Sequence, residues 1–271
     1  MSSPLPQRAR ALGAAQSASA LVPPLALLLL SLAIAPAAAD LPATAAKVKR
    51  SVVAVGTYMA VRATQQQPRG SGFVVGPNHV ITNAHVVPRD LDEGRRETIA
   101  VYRPTADNRT AMRPAKLVAS DPEHDLALLR FDGAPLPALS LGRNADIQEG
   151  QWAAFTGYPL VNALGLFPAT HRATVAAIAP IAAPVGSGSE LTPEMIKRLS
   201  APFDILQLDA TAYPGSSGSP LYDVDSGRVI GVINSVYVKR TRESAIRDPS
   251  GITYAIPVDH VRNLMNKAGV R

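Results

Sequence analysis

The chain has 271 residues, of which 46% are apolar and 18% charged, and carries a formal charge of +6. That balance excludes a disordered or low-complexity chain and is ample for a sizeable core. The absence of cysteine excludes disulfides, zinc–thiolate centres and a cysteine nucleophile together.

Taken in chain order, Arg8 and Arg10 precede the apolar run from Leu21 to Ile34, and the small-residue stretch Pro36-Ala37-Ala38-Ala39 follows. Basic, apolar, then small is the order of a secretory signal. Cleavage is expected after Ala39, so that residues 1–39 are a signal peptide and the exported chain starts at Asp40. An uncleaved membrane anchor is the alternative, disfavoured by Pro23, Pro24 and Pro36 in and beside the run. Loss of Arg8 and Arg10 lowers the charge from +6 to +4, which is only mildly basic. The cluster Lys239-Arg240-Thr241-Arg242 has no interleaved aromatics and reads as a solvated loop, not a nucleic-acid surface. A cysteine-free exported protein fits a bacterial envelope, either periplasmic or extracellular.

From Ser51 onward, short apolar runs alternate with turns. Residues 51–55, 72–75, 79–82, 98–102, 116–119 and 126–131 read as strands. The stretch Gly133-Ala-Pro-Leu-Pro-Ala-Leu139 and the loop 142–150 then separate two halves. In the second half the strand candidates are 151–155, 169–178, 205–208, 220–222, 229–233 and 252–256. Two helices are expected. One follows Thr192-Pro193, with a threonine cap and proline in the first turn. The other runs from Pro257 to Lys267 and closes at Gly269. No internal repeat is visible. Strands followed by one terminal helix fit an all-β protein of two packed barrels better than alternating α/β, divided as 40–145 and 146–271.

The segment Tyr213-Pro214-Gly215-Ser216-Ser217-Gly218-Ser219-Pro220 places a serine in a glycine-lined turn, where backbone N–H groups can approach a substrate carbonyl. A serine hydroxyl needs a base, and histidine titrates in the useful range. The histidine in turn needs a carboxylate to hold its tautomer. His85 is the best base, because Thr82-Asn83-Ala84 brings it to the end of an apolar strand. His79, His124, His171 and His260 occupy turn, charged or less constrained settings. Asp125, directly before Leu126-Ala-Leu-Leu129, is the best carboxylate, although a strand-end turn aspartate is common. Asp209 is its competitor and is assigned to loop structure.

The order His85, Asp125, Ser217 resembles the chymotrypsin-like serine proteases, and most closely the HtrA (Deg) protease-domain branch. The carrying segments are Gly70-Ser-Gly-Phe-Val-Val75, Ile81-Thr-Asn-Ala-His-Val-Val87, His124-Asp-Leu-Ala-Leu-Leu129, Gly157-Tyr-Pro159, Asp209-Ala210 through Pro220, Val229 to Asn234 and Gly251 to Pro257. Together they span about residues 47–268. The resemblance implies two six-stranded antiparallel β-barrels. It also implies His85 as general base, Asp125 as its orienting carboxylate and Ser217 as nucleophile. Under it the N–H groups of Gly215 and Ser217 form an oxyanion hole, and no metal or cofactor is required. Ser216 and Ser219 would serve the turn. The substrate pocket it implies lies among Thr211, Ala212, Asn234, Ser235 and Val236, with no acidic floor, so small or medium apolar side chains are expected there. The substrate backbone could pair along Asn234 to Val236. Residues 179–203 read as a long loop that either gates the site or is a tolerated surface insertion.

Some features depart from the family. Ser216 stands where relatives often carry asparagine, and where digestive members carry the aspartate that captures a new N-terminus, so activation by that route is not expected. Gly218-Ser219 replaces a glycine pair. The stretch after Ile256 is too short for the C-terminal peptide-binding (PDZ) domains common in the HtrA branch. The expected function is therefore a secreted or periplasmic serine endopeptidase acting on protein or peptide substrates through an acyl-enzyme. One alternative is a non-catalytic or chaperone-like peptide binder of the same fold. The other is an α/β-hydrolase esterase, which would want a strand-to-helix serine elbow and its histidine last in the chain.

Overall fold

The computed structural model describes residues 40–105, 107, 109–181, 202–234 and 252–270. The signal-like segment 1–39, the helix expected after Thr192, the basic cluster at Lys239 to Arg242, and Ser235 and Val236 lie outside the described residues, as does most of the 179–203 loop.

The described chain opens with a helix, α1 (Leu41–Lys49), which the sequence reading did not anticipate. Twelve strands follow. The first six are β1 (Val52–Tyr58), β2 (Gln66–Gly76), β3 (His79–Asn83), β4 (Thr98–Pro104), β5 (Thr110–Asp121) and β6 (Leu126–Phe131). After β7 (Trp152–Gly157) comes the single turn α2 (Val161–Leu164). Then come β8 (Ala169–Pro180), β9 (Asp204–Asp209), β10 (Pro220–Asp223), β11 (Val229–Asn234) and β12 (Ile252–Pro257), and α3 (Val258–Lys267) closes the fold. Each strand expected from the sequence lies within or overlaps one of these. The terminal helix ends, as expected, at Gly269 in the left-handed region (φ +69°).

The strands close into two antiparallel barrels, ordered β1-β2-β3-β6-β5-β4 and β10-β11-β12-β9-β8-β7. Read from β7, the second order is 7-8-9-12-11-10, the same topology as the first. The halves thus repeat in architecture although no repeat is visible in sequence.

Alternation explains why β1 reads as an unbroken apolar run. Val53 and Val55 point into the first barrel with Val74, Val80, Leu129 and Phe131. Val52 and Ala54 point outward into a cluster shared with Ala154, Tyr158, Tyr222 and Val232 of the second barrel. A strand buried on both faces has no polar side to show. Phe155, Val175, Leu206, Leu208 and Leu221 fill the second barrel. The helix α3 adds Val258, Val261, Leu264 and Met265 to the shared cluster, locking the C-terminal segment onto the seam. At about 1.5–3 kcal/mol for each fully buried large apolar side chain, this seam holds the two barrels in fixed register. Buried polar residues include Ser71, Thr82, Asn83, Asp125, Ser216, Ser217, Ser219 and Asn234.

Candidate active site

Asp125, the residue before β6, has φ +52°, a conformation that aspartate tolerates better than most residues. The preceding Asp121-Pro122-Glu123-His124 turn bends the chain into it, and Asp125 N–H closes the turn on Pro122 O at 3.4 Å. Its carbonyl accepts from Ala84 N–H at 3.0 Å and from Asn83 Nδ2 at 3.0 Å. The end of β3 is thereby clamped to the start of β6, and His85 emerges from the short turn of 3₁₀-helix that follows, Ala84–Val86.

This clamp aims the histidine at the carboxylate. Asp125 Oδ1 accepts from the His85 backbone N–H at 2.9 Å, and Oδ2 lies 2.7 Å from His85 Nδ1. A carboxylate oxygen only accepts, so Nδ1 carries the proton and Nε2 is left as the basic nitrogen. A third donor reaches across from the other barrel: Asn234 Nδ2 donates to Asp125 Oδ2 at 2.7 Å. The aspartate side chain is 12% exposed and the histidine 35%, so the pair is open to solvent only on the histidine side.

Ser217 is 5% exposed, and its carbonyl accepts from Ser71 N–H of β2 at 2.8 Å. Gly70, the residue before Ser71, shows how closely the parts meet. A Cβ there would lie 2.6 Å from Val86 Cγ2 and 2.9 Å from Ser217 O. The serine turn and the segment carrying His85 therefore press on the same glycine of β2.

The turn itself is tightly specified. Ser216 N–H donates to Tyr213 O at 2.9 Å, Pro214 fixes its own φ, and Gly215 has φ +96°, which together make a type II turn. Pro214 O accepts from Leu160 N–H at 2.7 Å, and Gly215 O accepts from Ser71 Oγ at 2.7 Å. Across a trans peptide the Gly215 N–H points opposite to Pro214 O, away from Leu160. A Cβ on Gly215 would lie 2.4 Å from Tyr158 O. Ser71 Oγ also accepts from Tyr158 N–H at 2.8 Å, so one hydroxyl ties the turn to the end of β7. Ser216 and Ser219 are fully buried, and their hydroxyls have no partner, in keeping with a role inside the turn.

Of the expected pocket residues, Ala212 N–H donates to Thr253 Oγ1 at 2.9 Å and its side chain packs on the second barrel's core. Thr211 lies beside it, half-buried. The Asn234 side chain is occupied by Asp125. That orienting contact escaped the sequence reading, because nothing local signals a bond between residues 109 apart.

Two histidine environments were also missed. His171 stacks on Phe155, its cross-strand neighbour, with centroids 4.8 Å apart at 15°. Its Nε2 is buried without a partner, and burial pushes its pKa down. Beside Asp125, His124 Nδ1 lies 2.7 Å from Asp121 Oδ2. Its ring stacks on His260 of α3 at 3.9 Å and 26°, with Phe203 against both. Burial, helped by the neighbouring His124, pushes His260 down to about 4. Among the described residues no group of three or more histidines and carboxylates is placed to hold a metal ion, and no helix is long and apolar enough to cross a membrane.

Residues 70–232 match the family described as a trypsin-like peptidase domain. A probable periplasmic serine endoprotease, DegP-like, of Pseudomonas fluorescens is 32% identical over 207 residues, covering 76% of this chain and 36% of that protein. The mitochondrial serine protease HTRA2 of Drosophila pseudoobscura is 32% identical over 207 residues, covering 74% of this chain and 39% of its own. The chain thus spans little more than a third of the length of these relatives. Among solved structures, the active form of the Rv3671c protease of M. tuberculosis superposes with a TM-score of 0.61 at 25% identity, covering 88% of both chains.

Proposed function

Since the chain belongs to the trypsin-like peptidase family, we propose that it is a serine endopeptidase that cleaves protein or peptide substrates through an acyl-enzyme. The observation that carries this reading is the Asp125–His85 pair at 2.7 Å, which leaves a basic Nε2 on the side open to solvent. The rest of the mechanism follows from what each group can do.

Ser217 Oγ attacks the scissile carbonyl carbon while His85 Nε2 takes its proton, and Asp125 stabilises the imidazolium that forms. The Gly215 N–H, turned away from Leu160, and the Ser217 N–H receive the oxyanion. Because the turn is prefolded, these donors need little reorganisation at the moment of reaction. Collapse of the tetrahedral intermediate breaks the C–N bond, and His85 gives its proton to the leaving amine. The same base then deprotonates a water that attacks the acyl-serine, releasing the acid and restoring Ser217. In this reading His85 and Asp125 come from residues 40–145 and Ser217 from residues 146–271. Thr211, Ala212 and the strand edge at Asn234, Ser235 and Val236 receive the acyl side of the substrate.

The periplasmic relative and the signal-like segment 1–39 both support action in the bacterial envelope, on chains that are unfolded enough to enter the cleft. The test is casein hydrolysis by the purified protein and by Ser217→Ala, with circular dichroism of both. Loss of hydrolysis in a folded variant supports the reading. Equal hydrolysis by the variant contradicts it, and binding of unfolded protein without hydrolysis by either form points to a peptide-binding protein instead.

A further inference from the structure

Two arginines line crevices beside His85 and Gly215, and among the described residues neither is paired with an acid. One crevice, of about 370 Å³, is lined by His85, Asp125, Arg69 and Arg89. The other, of about 740 Å³, lies between Arg69, Leu160 and Gly215. Arg69 borders both. It sits two residues before Ser71, whose N–H holds the Ser217 carbonyl at 2.8 Å, and Arg89 follows His85 by four positions.

Both side chains are exposed. Arg62, Arg143 and Arg262 are each held by a carboxylate, whereas among the described residues Arg69 and Arg89 have no ion pair and no side-chain hydrogen bond. The one acid lining these crevices is Asp125, and its carboxylate already serves His85 and Asn234. Among the described residues, the crevices therefore carry positive charge that no acid answers.

We propose that Arg69 and Arg89 make the site selective for substrates with aspartate or glutamate in the first two positions after the scissile bond. This inference rests on the peptidase reading above, which also sets the direction. The carbonyl oxygen of the scissile bond must face Gly215, and the leaving nitrogen must face His85, from which it takes its proton. The crevice that holds His85 is the one lined by both Arg69 and Arg89, so the part of the substrate that carries the leaving nitrogen lies nearest the two arginines. A guanidinium presents a planar fork of donors that matches a carboxylate in two parallel bonds. The contacts are partly solvated, so each is worth a small factor and is screened by salt. They act on substrate and transition state alike, and so move KM more than kcat.

The test uses quenched fluorescent peptides identical except for the two residues after the cleavage site, Asp-Asp, Asn-Asn or Lys-Lys, with the cut confirmed by mass spectrometry. Wild type should cleave the acidic peptide about three- to tenfold more efficiently than the neutral one at low salt, through KM, and the lysine peptide least well. The advantage should shrink toward unity at high salt. In the double variant R69Q/R89Q the acidic-to-neutral ratio should fall to about one, and Arg69→Glu should favour the lysine peptide. Equal, Ser217-dependent cleavage of all three peptides by wild type would overturn this inference while leaving the peptidase reading intact. Cleavage of none would overturn both.

Discussion

Asn234 of the second barrel donates its side-chain amide to the carboxylate of Asp125 in the first, at 2.7 Å across 109 residues of sequence. The two barrels are thereby joined through the residue proposed to orient His85. Asn234 is 3% exposed, so the contact is made away from water, where a hydrogen bond to a carboxylate counts most.

Loss of this bond should be felt in turnover. Asn234→Ala leaves Asp125 with both His85 contacts but frees the carboxylate to rotate. A lost charge-assisted bond is worth about 1.5–3 kcal/mol, so kcat on a peptide substrate should fall about ten- to hundredfold, with KM changing less. Steady-state kinetics of the folded variant check it. A change confined to KM would assign Asn234 to substrate binding instead.

Alanine in place of Gly215 would need φ near +96° and would put its Cβ 2.4 Å from the Tyr158 carbonyl, so the turn must shift and its N–H with it. In the proposed mechanism that N–H is an oxyanion donor, whose removal costs about 10²–10³ in rate, so Gly215→Ala should lose at least about a hundredfold in kcat/KM. The bond from Leu160 N–H to Pro214 O fixes the same peptide from behind.

Ser216 separates this turn from the acid-switched kind. Its buried hydroxyl has no partner, so Ser216→Ala should leave the urea midpoint unchanged or slightly raised. Ser216→Asp would bury an unpaired carboxylate and should destabilise by several kcal/mol. Urea unfolding of the two variants gives both answers.

The stacked histidines set a pH dependence of stability. His260 is neutral in the folded protein down to about pH 4, whereas in the unfolded chain it protonates near its ordinary value of about 6.5. Between those values the unfolded state binds more protons, so stability falls as pH drops from about 6.5 to about 4. His171, also pushed down by burial, acts in the same direction. The groups that act on His260 are His124, Asp121, Asp259 and Glu123. Burial raises Asp121, but its hydrogen bonds from the His124 ring and backbone outweigh that and hold it below the usual carboxylate range. Its contribution is lost at lower pH still. Urea midpoints at pH 7, 5.5 and 4.5 should decline, and His260→Phe should flatten the decline.

The strands were legible because β1 and β11 are buried on both faces, and β6 at every residue but Arg130, and such runs cannot hide in a sequence. By contrast, α1 buries only Ala45 and Val48 and has no side-chain cap bond, so its periodicity is too faint to read. His85, Asp125 and Ser217 could be proposed from the sequence because each lies in a local pattern of strand end or turn. The contacts of Asn234 with Asp125, of Leu160 with Pro214 and of His124 with His260 could not be, because the partners lie far apart in sequence and only closure of the barrels brings them together. Ser235 and Val236, named with Thr211 and Ala212 as pocket residues, lie outside the described residues.

Under the proposed mechanism Ser217, and neither Ser216 nor Ser219, is the nucleophile. The measurement is treatment of the purified protein with a fluorophosphonate, followed by peptide mass spectrometry. A single adduct on Ser217, formed more slowly as pH falls through the range in which an imidazole protonates and absent from a folded Ser217→Ala protein, is the predicted result. An adduct on Ser216 or Ser219, or undiminished labelling of Ser217→Ala, would contradict it.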